Sequence, residues 1–210
     1  FYPDIYKQDK TFRQEGWSYK LDDPDGELTI SGVVYNEMKG AYSSPEGVLD
    51  REIQSSLFTD TTYAVDSGGD PEVIPQLTYE QFLDFHRKYY HPSNSYIYLY
   101  GDMDMEEKLA FLDEHYLSHF DYLDVDSVIQ EQKAFGACRD VTLEYPVAEN
   151  EGEEDNTYLS YNMVVGNAAD SQMAMAFEVL DYALLSAPGA PLKQALLDVK
   201  AGKDVYGSYD

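Results

Sequence analysis

One cysteine, Cys138, stands in 210 residues. A lone thiol closes no internal disulfide, so nothing indicates an oxidising compartment, and a reducing cytosol or organelle matrix fits. Basic residues are scarce as well: 14 Lys and Arg face 40 Asp and Glu, for a formal charge of −26. A broad surface of that sign repels phosphate backbones, which argues against nucleic acid as a partner. The same field draws in cations, basic unfolded peptides among them, although solubility alone also accounts for it. No apolar run approaches the roughly 18 residues that cross a bilayer, so no membrane partner is expected. The first ten residues have neither the charged start nor the apolar stretch of a signal peptide, and the chain does not begin with Met. Targeting is therefore not legible, and further sequence is expected upstream.

What is present is globular in character, since 43% hydrophobic and 14% aromatic residues exceed what a disordered chain carries. Trp17 to Leu21 alternate apolar and polar, residues 22–26 have turn chemistry, and Leu28 to Ile30 supply a partner strand. From Val33 the spacing is helical, and Ser44 followed by Pro45 restarts a helix as cap and first helical position. Residues 59–76, rich in Gly, Pro and Asp, read as a long ordered loop of the kind that often carries function. Thr78 with Gln81 and Asp104 with Glu107 open two further helices, the first ended by Pro92.

Strands are expected at Tyr96 to Tyr100, at 140–147 and at 156–165, and the acidic run 149–155 is expected to form a solvated hairpin loop. Two closing helices flank the breaker Pro188-Gly189. Strands and helices mingle without regular alternation, so the fold class is α+β with antiparallel pairing.

One acid stands out. At 100° per residue from Val33, Glu37 lies near about 40°, between Val33 and Ala41 near about 80°, with Val34 near about 100° and Met38 near about 140°. This places a carboxylate inside an apolar stripe, and a carboxylate buried there needs a cation, hydrogen bonds, a metal or a proton. A neutralised or salt-bridged core acid meets that need as well as a metal ligand does.

Other signals have ordinary readings. His115 and His119 share a helix face at i, i+4 but lie near its C-terminus, where a His is favoured by the helix dipole. His86 and His91 are five apart and read as packing and turn residues. Asp22, Asp23, Asp25 and Gly26 lack the alternating oxygens of a calcium loop and read as a turn. Tyr96, Tyr98 and Tyr100 suggest a binding platform, but period-two aromatics more often serve sheet packing. The glycines of residues 67–70 fit neither a phosphate loop nor a dinucleotide loop, and shape a turn instead.

Three motifs in order resemble a known family: Gly32 to Gly40 preceded by Gln14 to Trp17, then Tyr63 to Pro71, then His91 to Ser95. They resemble the presequence-protease branch of the inverted-zincin metallopeptidases, the family of pitrilysin and insulin-degrading enzyme. The similarity covers most of residues 1–120 and continues more weakly to the end, through Pro191-Leu192 and Gly202 to Val205. It implies a zinc ion held by two His of an H-x-x-E-H helix and by a Glu in the position of Glu37, with the motif's own Glu as general base.

No H-x-x-E-H occurs among the 210 residues, so the base and both imidazole ligands are absent. The expectation is a partial chain of a longer metalloendopeptidase, inactive and weakly zinc-binding by itself, with the remainder of its own polypeptide as partner. The resemblance implies a pitrilysin-like fold, an antiparallel sheet flanked by helices. The domains expected are the end of a catalytic domain over 1–120, a linker over 121–137, and the start of a related domain over 138–210. The substrates implied are short unstructured peptides, basic ones favoured, cut inside a closed chamber. The compartment is a bacterial cytoplasm, with a mitochondrial matrix as alternative. The rival function is a non-catalytic paralogue acting as a structural or peptide-binding subunit.

Overall fold

The computed structural model describes residues 3–147, 152, 154, 156–200 and 202–209. The chain separates into two compact units, Phe1–Tyr161 and Asn162–Asp210.

The first unit begins with a five-residue π turn, Phe12–Gly16, leading into a two-stranded antiparallel hairpin of β1 (Ser18–Lys20) and β2 (Thr29–Ser31). Its register pairs Ser18 with Ser31, Tyr19 with Ile30 and Lys20 with Thr29. The turn between the strands is set by Asp23, whose carboxylate accepts from Asp25 N (3.0 Å) and whose carbonyl accepts from Gly26 N (2.8 Å). That is turn chemistry and not cation coordination.

Helix α1 (Val33–Ala41) follows β2 after a single residue, Gly32, which is buried. A Cβ on Gly32 would lie 2.1 Å from the carbonyl oxygen of Gly16 and 2.8 Å from Trp17 Cα. The two backbones cross at a separation that only glycine permits, and this crossing fixes where α1 starts.

Local capping explains the helices that follow. In α2 (Pro45–Leu57) the Ser44 hydroxyl accepts from Gly47 N (3.0 Å), with Pro45 at the first helical position. In α3 (Tyr79–Tyr89) the capping box is complete: Thr78 accepts from Gln81 N, and the Gln81 side chain accepts from Thr78 N (2.8 Å). In α4 (Met105–His115) Asp104 accepts from Glu107 N (3.1 Å). The second unit holds α5 (Ser171–Asp181), which runs on into a π turn at Tyr182–Ser186, and α6 (Pro191–Asp198).

Around α3 the start of the chain packs in. Phe12 meets the rings of Tyr79 and Phe82 at 6.0 and 5.6 Å, the Trp17 indole donates to Leu77 O (2.9 Å), and Tyr79 donates its hydroxyl to Ile5 O. Ile74 and Leu83 are buried in the first unit, and in the second unit Ala190 is buried.

The sheet is smaller than the sequence predicts. Residues 96–100, 140–147 and 156–165 have no ladder partners among the described residues. Tyr96, Tyr98 and Tyr100 are almost fully exposed, at 105%, 84% and 84%. Alternation makes these segments fit to be strands, but a strand exists only where another backbone satisfies its ladder. Of the expected antiparallel sheet flanked by helices, the described residues contain the two-stranded antiparallel hairpin β1–β2 together with helices. Most of the predicted loop over 149–155 lies outside the described residues.

Two glycines give opposite expectations for stability. Gly32→Ala should lower the denaturation midpoint sharply, with a loss above about 3 kcal/mol, because backbone must move to admit the methyl group. Gly40, near the end of α1, has open space where a Cβ would lie. Gly40→Ala should raise stability by about 0.5–1 kcal/mol in the same denaturant titration.

Candidate functional site

Helix α1 carries the candidate ligand, and its packed face takes in only the Met38 edge of the stripe that periodicity suggests. Tyr35, Met38 and Tyr42 are half-buried, whereas Val33, Glu37 and Ala41 are exposed, Val33 at 52%. The expectation that Glu37 sits buried in an apolar stripe is therefore corrected. The stripe exists, but it is one edge of a wide apolar arc, and among the described residues the arc is covered at its Met38 side. What covers it is the loop after α2: a Cβ on Gly68 would meet Met38 Sδ at 2.4 Å, so the sulfur lies directly over the glycine backbone. Gly69, at φ +92°, takes the left-handed conformation that turns the loop there.

A second anchor holds the end of α1. Arg51, on α2, donates from Nη2 to Ala41 O (2.8 Å), one of the carbonyls that the helix leaves without an internal partner. Its guanidinium carbon lies 3.6 Å from the centre of the Tyr42 ring. Its Nε faces Asp66 Oδ2 at 3.9 Å, with both side chains only 20% exposed. At that distance the pair attracts without a hydrogen bond, and Nε has no hydrogen-bond acceptor among the described residues. Asp66 is itself held by Gly68 N, which donates to Oδ1 (2.8 Å), and Asp70 accepts from Glu72 N (2.7 Å). Burial pushes the Tyr42 hydroxyl above its ordinary pKa of 10.0, Asp66 and Asp70 add to the rise, and Arg51 opposes it.

Periodicity gave no warning of the Arg51 cluster, because an Arg on an amphipathic helix ordinarily belongs to the solvated face. Its place one turn after Val48 and one before Ser55, both half-buried, is the only local signal.

The histidines stay apart. His91 caps a turn by accepting from Ser93 N at Nδ1 (3.2 Å) and meets Phe120 edge-on at 5.4 Å. His86 pairs with the Tyr6 hydroxyl (2.6 Å) and stacks on Tyr90 at 4.6 Å. His115 closes α4, with its ring 4.6 Å from that of Phe111, and His119 lies in the turn after it. Among the described residues no three His, Cys, Asp or Glu side chains converge as a metal site requires. The donor that is present suits zinc in kind: an exposed carboxylate with no ion pair or hydrogen bond among the described residues.

The profile of the domain described as "Peptidase M16 inactive domain" matches residues 76–210. The chain belongs to the peptidase M16 family. This M16 chain is 51% identical over 209 residues to "Protein HypA" of Clostridium perfringens, with 100% of the chain and 22% of that protein covered. It is 40% identical over 211 residues to "Presequence protease 1, chloroplastic/mitochondrial" of Arabidopsis thaliana, covering 99% and 19%. Against "Presequence protease, mitochondrial" of Xenopus laevis the figures are 34% over 208 residues, 97% and 20%. The chain thus spans about a fifth of the length of the curated relatives it matches. The matched profile runs across the stretch 121–137 that the sequence marks as a linker.

Tyr42 yields a pH expectation with a definite sign. Its folded pKa is raised, so the folded state holds a proton that the unfolded state gives up first, and stability falls as pH rises above about 10. Tyr42→Phe should flatten that part of the decline in denaturant titrations run from pH 9 to 11. An unchanged slope counts against the burial of this hydroxyl.

Proposed function

We propose that the chain is a non-catalytic stretch of a longer zinc metalloendopeptidase, and that Glu37 is the one metal ligand it contributes. The observation that carries this reading is the open Val33–Glu37–Ala41 stripe: an uncompensated carboxylate on an apolar face of a helix held at both ends. An apolar stripe that the chain leaves bare suits cover by further polypeptide. The same holds for the unpaired segments at 96–100, 140–147 and 156–165, whose backbone is ready to join a larger antiparallel sheet.

In the longer protein the domain plan is the end of a catalytic domain over 1–120, a linker over 121–137, and the start of a related domain from 138. The remaining ligands and the general base come from an H-x-x-E-H helix that these 210 residues do not contain. When bound, the zinc ion supplies an acidified water and a polarising charge for hydrolysis of the peptide bond. The contribution of α1 is to present the Glu37 carboxylate and to keep it from collapsing onto a cation of its own chain.

The substrates are short unstructured peptides held in a closed chamber, basic ones favoured by the −26 charge. A bacterial cytoplasm is the first compartment in line, one of the relatives being bacterial, and a mitochondrial matrix the second, in keeping with the names of the others. The alternative of a non-catalytic paralogue is distinguished by whether H-x-x-E-H is encoded in the same polypeptide.

In the full-length protein, Glu37→Gln should cut bound zinc to well under half an equivalent after dialysis and reduce peptide hydrolysis by 100-fold or more, on the order expected for a lost first ligand. Full zinc occupancy in that variant removes the assignment. The isolated 210-residue chain should show neither hydrolysis nor zinc binding at micromolar metal. For substrate charge, cleavage at low salt should favour a basic peptide over an acidic one of equal length, and about 0.5 M salt should erase the preference. Equal rates at low salt would exclude steering by the acidic surface.

A further inference from the structure

Arg51 reaches three places at once. It donates to Ala41 O at 2.8 Å, covers the Tyr42 ring at 3.6 Å, and faces Asp66 at 3.9 Å, so the end of α1, helix α2 and the loop under Met38 all meet on one guanidinium. Ala41 lies one helical turn beyond Glu37 on the same stripe. Whatever fixes the Ala41 carbonyl therefore fixes how far the Glu37 face can roll about the helix axis.

We propose that Arg51 is a positioning residue for Glu37: by clamping the last turn of α1 it sets the direction in which the carboxylate is presented. The inference rests on the reading of Glu37 as a zinc ligand and extends it to a residue on another helix that touches neither metal nor substrate.

The chemistry favours Arg for this task. The Nη2 hydrogen bond, the ring contact and the approach to Asp66 need a planar group with several donors, and the single ammonium of Lys cannot make all three. The opposite end of α1 needs no such device, because the crossing of Gly32 over Gly16 already fixes it. With the start pinned and the end released, the helix pivots about its first turn, and the displacement grows toward Glu37 and Ala41. Supporting groups of this kind typically change metal affinity by about 10–100-fold when removed.

The test uses the full-length protein and measures zinc affinity by competition with a chelator, well below the denaturation midpoint, so that loss of stability alone does not move the readout. Glu37→Gln, Arg51→Met and Arg51→Lys are compared. The expected result is a loss of about 10-fold or more for Arg51→Met, with part of the affinity regained in Arg51→Lys through its charge and ring contact. Unchanged zinc affinity in a folded Arg51→Met, alongside a loss in Glu37→Gln, overturns the positioning role and leaves the ligand assignment standing. Unchanged affinity in Glu37→Gln overturns that assignment and the inference with it. Should Arg51→Met fail to fold, Asp66→Asn removes only the ion-pair side of the clamp. A loss of about threefold in zinc affinity is then expected on the same scale, and no change overturns the proposal.

Discussion

The close crossing of Gly32 over Gly16 is the constraint from which the arrangement of the first unit follows. A backbone carbonyl 2.1 Å from where a Cβ would stand leaves no room for any side chain, so the hairpin, the π turn before it and the first turn of α1 are locked as one piece. Once that start is fixed, the 3.6-residue repeat decides which side chains face inward. Met38 and Tyr42 turn toward the 66–70 loop and α2, Tyr35 is half-buried beside them on the helix, and Val33, Glu37 and Ala41 are exposed. The position of Glu37 is a consequence of backbone contact several residues away and not of its own interactions.

That dependence explains what the sequence could and could not convey. The hairpin at 18–31 and the caps at Ser44, Thr78 and Asp104 are legible because each is decided within a few residues. The inward face of α1 is not legible, since Val33, Val34, Tyr35, Met38, Ala41 and Tyr42 spread apolar groups over about 200° of the helix and periodicity does not choose which part of that arc is covered. The strands at 96–100, 140–147 and 156–165 show the right alternation, but pairing depends on residues far off in sequence or outside these 210. The family was legible for a different reason: three separated motifs in order carry more information than any single periodic run, and the relatives that match over nearly the whole chain agree with them.

The exposed apolar surface bears on how the chain holds together. Ile74, Leu83 and Ala190 are the buried hydrophobic residues among those described, while tyrosines at 96, 98 and 100 and aliphatic groups at 159 and 164 lie open. Burial of apolar area stabilises folds at about 25 cal/mol per Å², so a chain with so much of it uncovered draws little stability from its own core. The tight local devices, glycine crossings, complete caps and the Arg51 clamp, keep elements in shape without depending on that core. This is the behaviour expected of a part that acquires most of its burial from neighbouring polypeptide, in keeping with its span of about a fifth of its relatives.

Charge supplies the last step. A net charge of −26 favours any cation near the surface, but a field of that kind is diffuse and does not choose one carboxylate among 40. Choice comes from placement. Most acids here lie on solvated faces where water and screening satisfy them, and several are already paired, as Asp4 is with Lys7 and Asp84 with Arg87. Glu37 differs in having apolar neighbours one turn to either side, Val33 and Ala41, and no ion pair among the described residues. Under the proposed function, covering that stripe with further polypeptide would strip water from the carboxylate and leave its charge to be met by something else. A divalent ion answers that demand more strongly than a lysine does, because it carries twice the charge and bonds directly to the oxygen. The argument for Glu37 as a ligand thus runs through what the assembled protein would do to its surroundings. A carboxylate that keeps its water after assembly has no need of a metal.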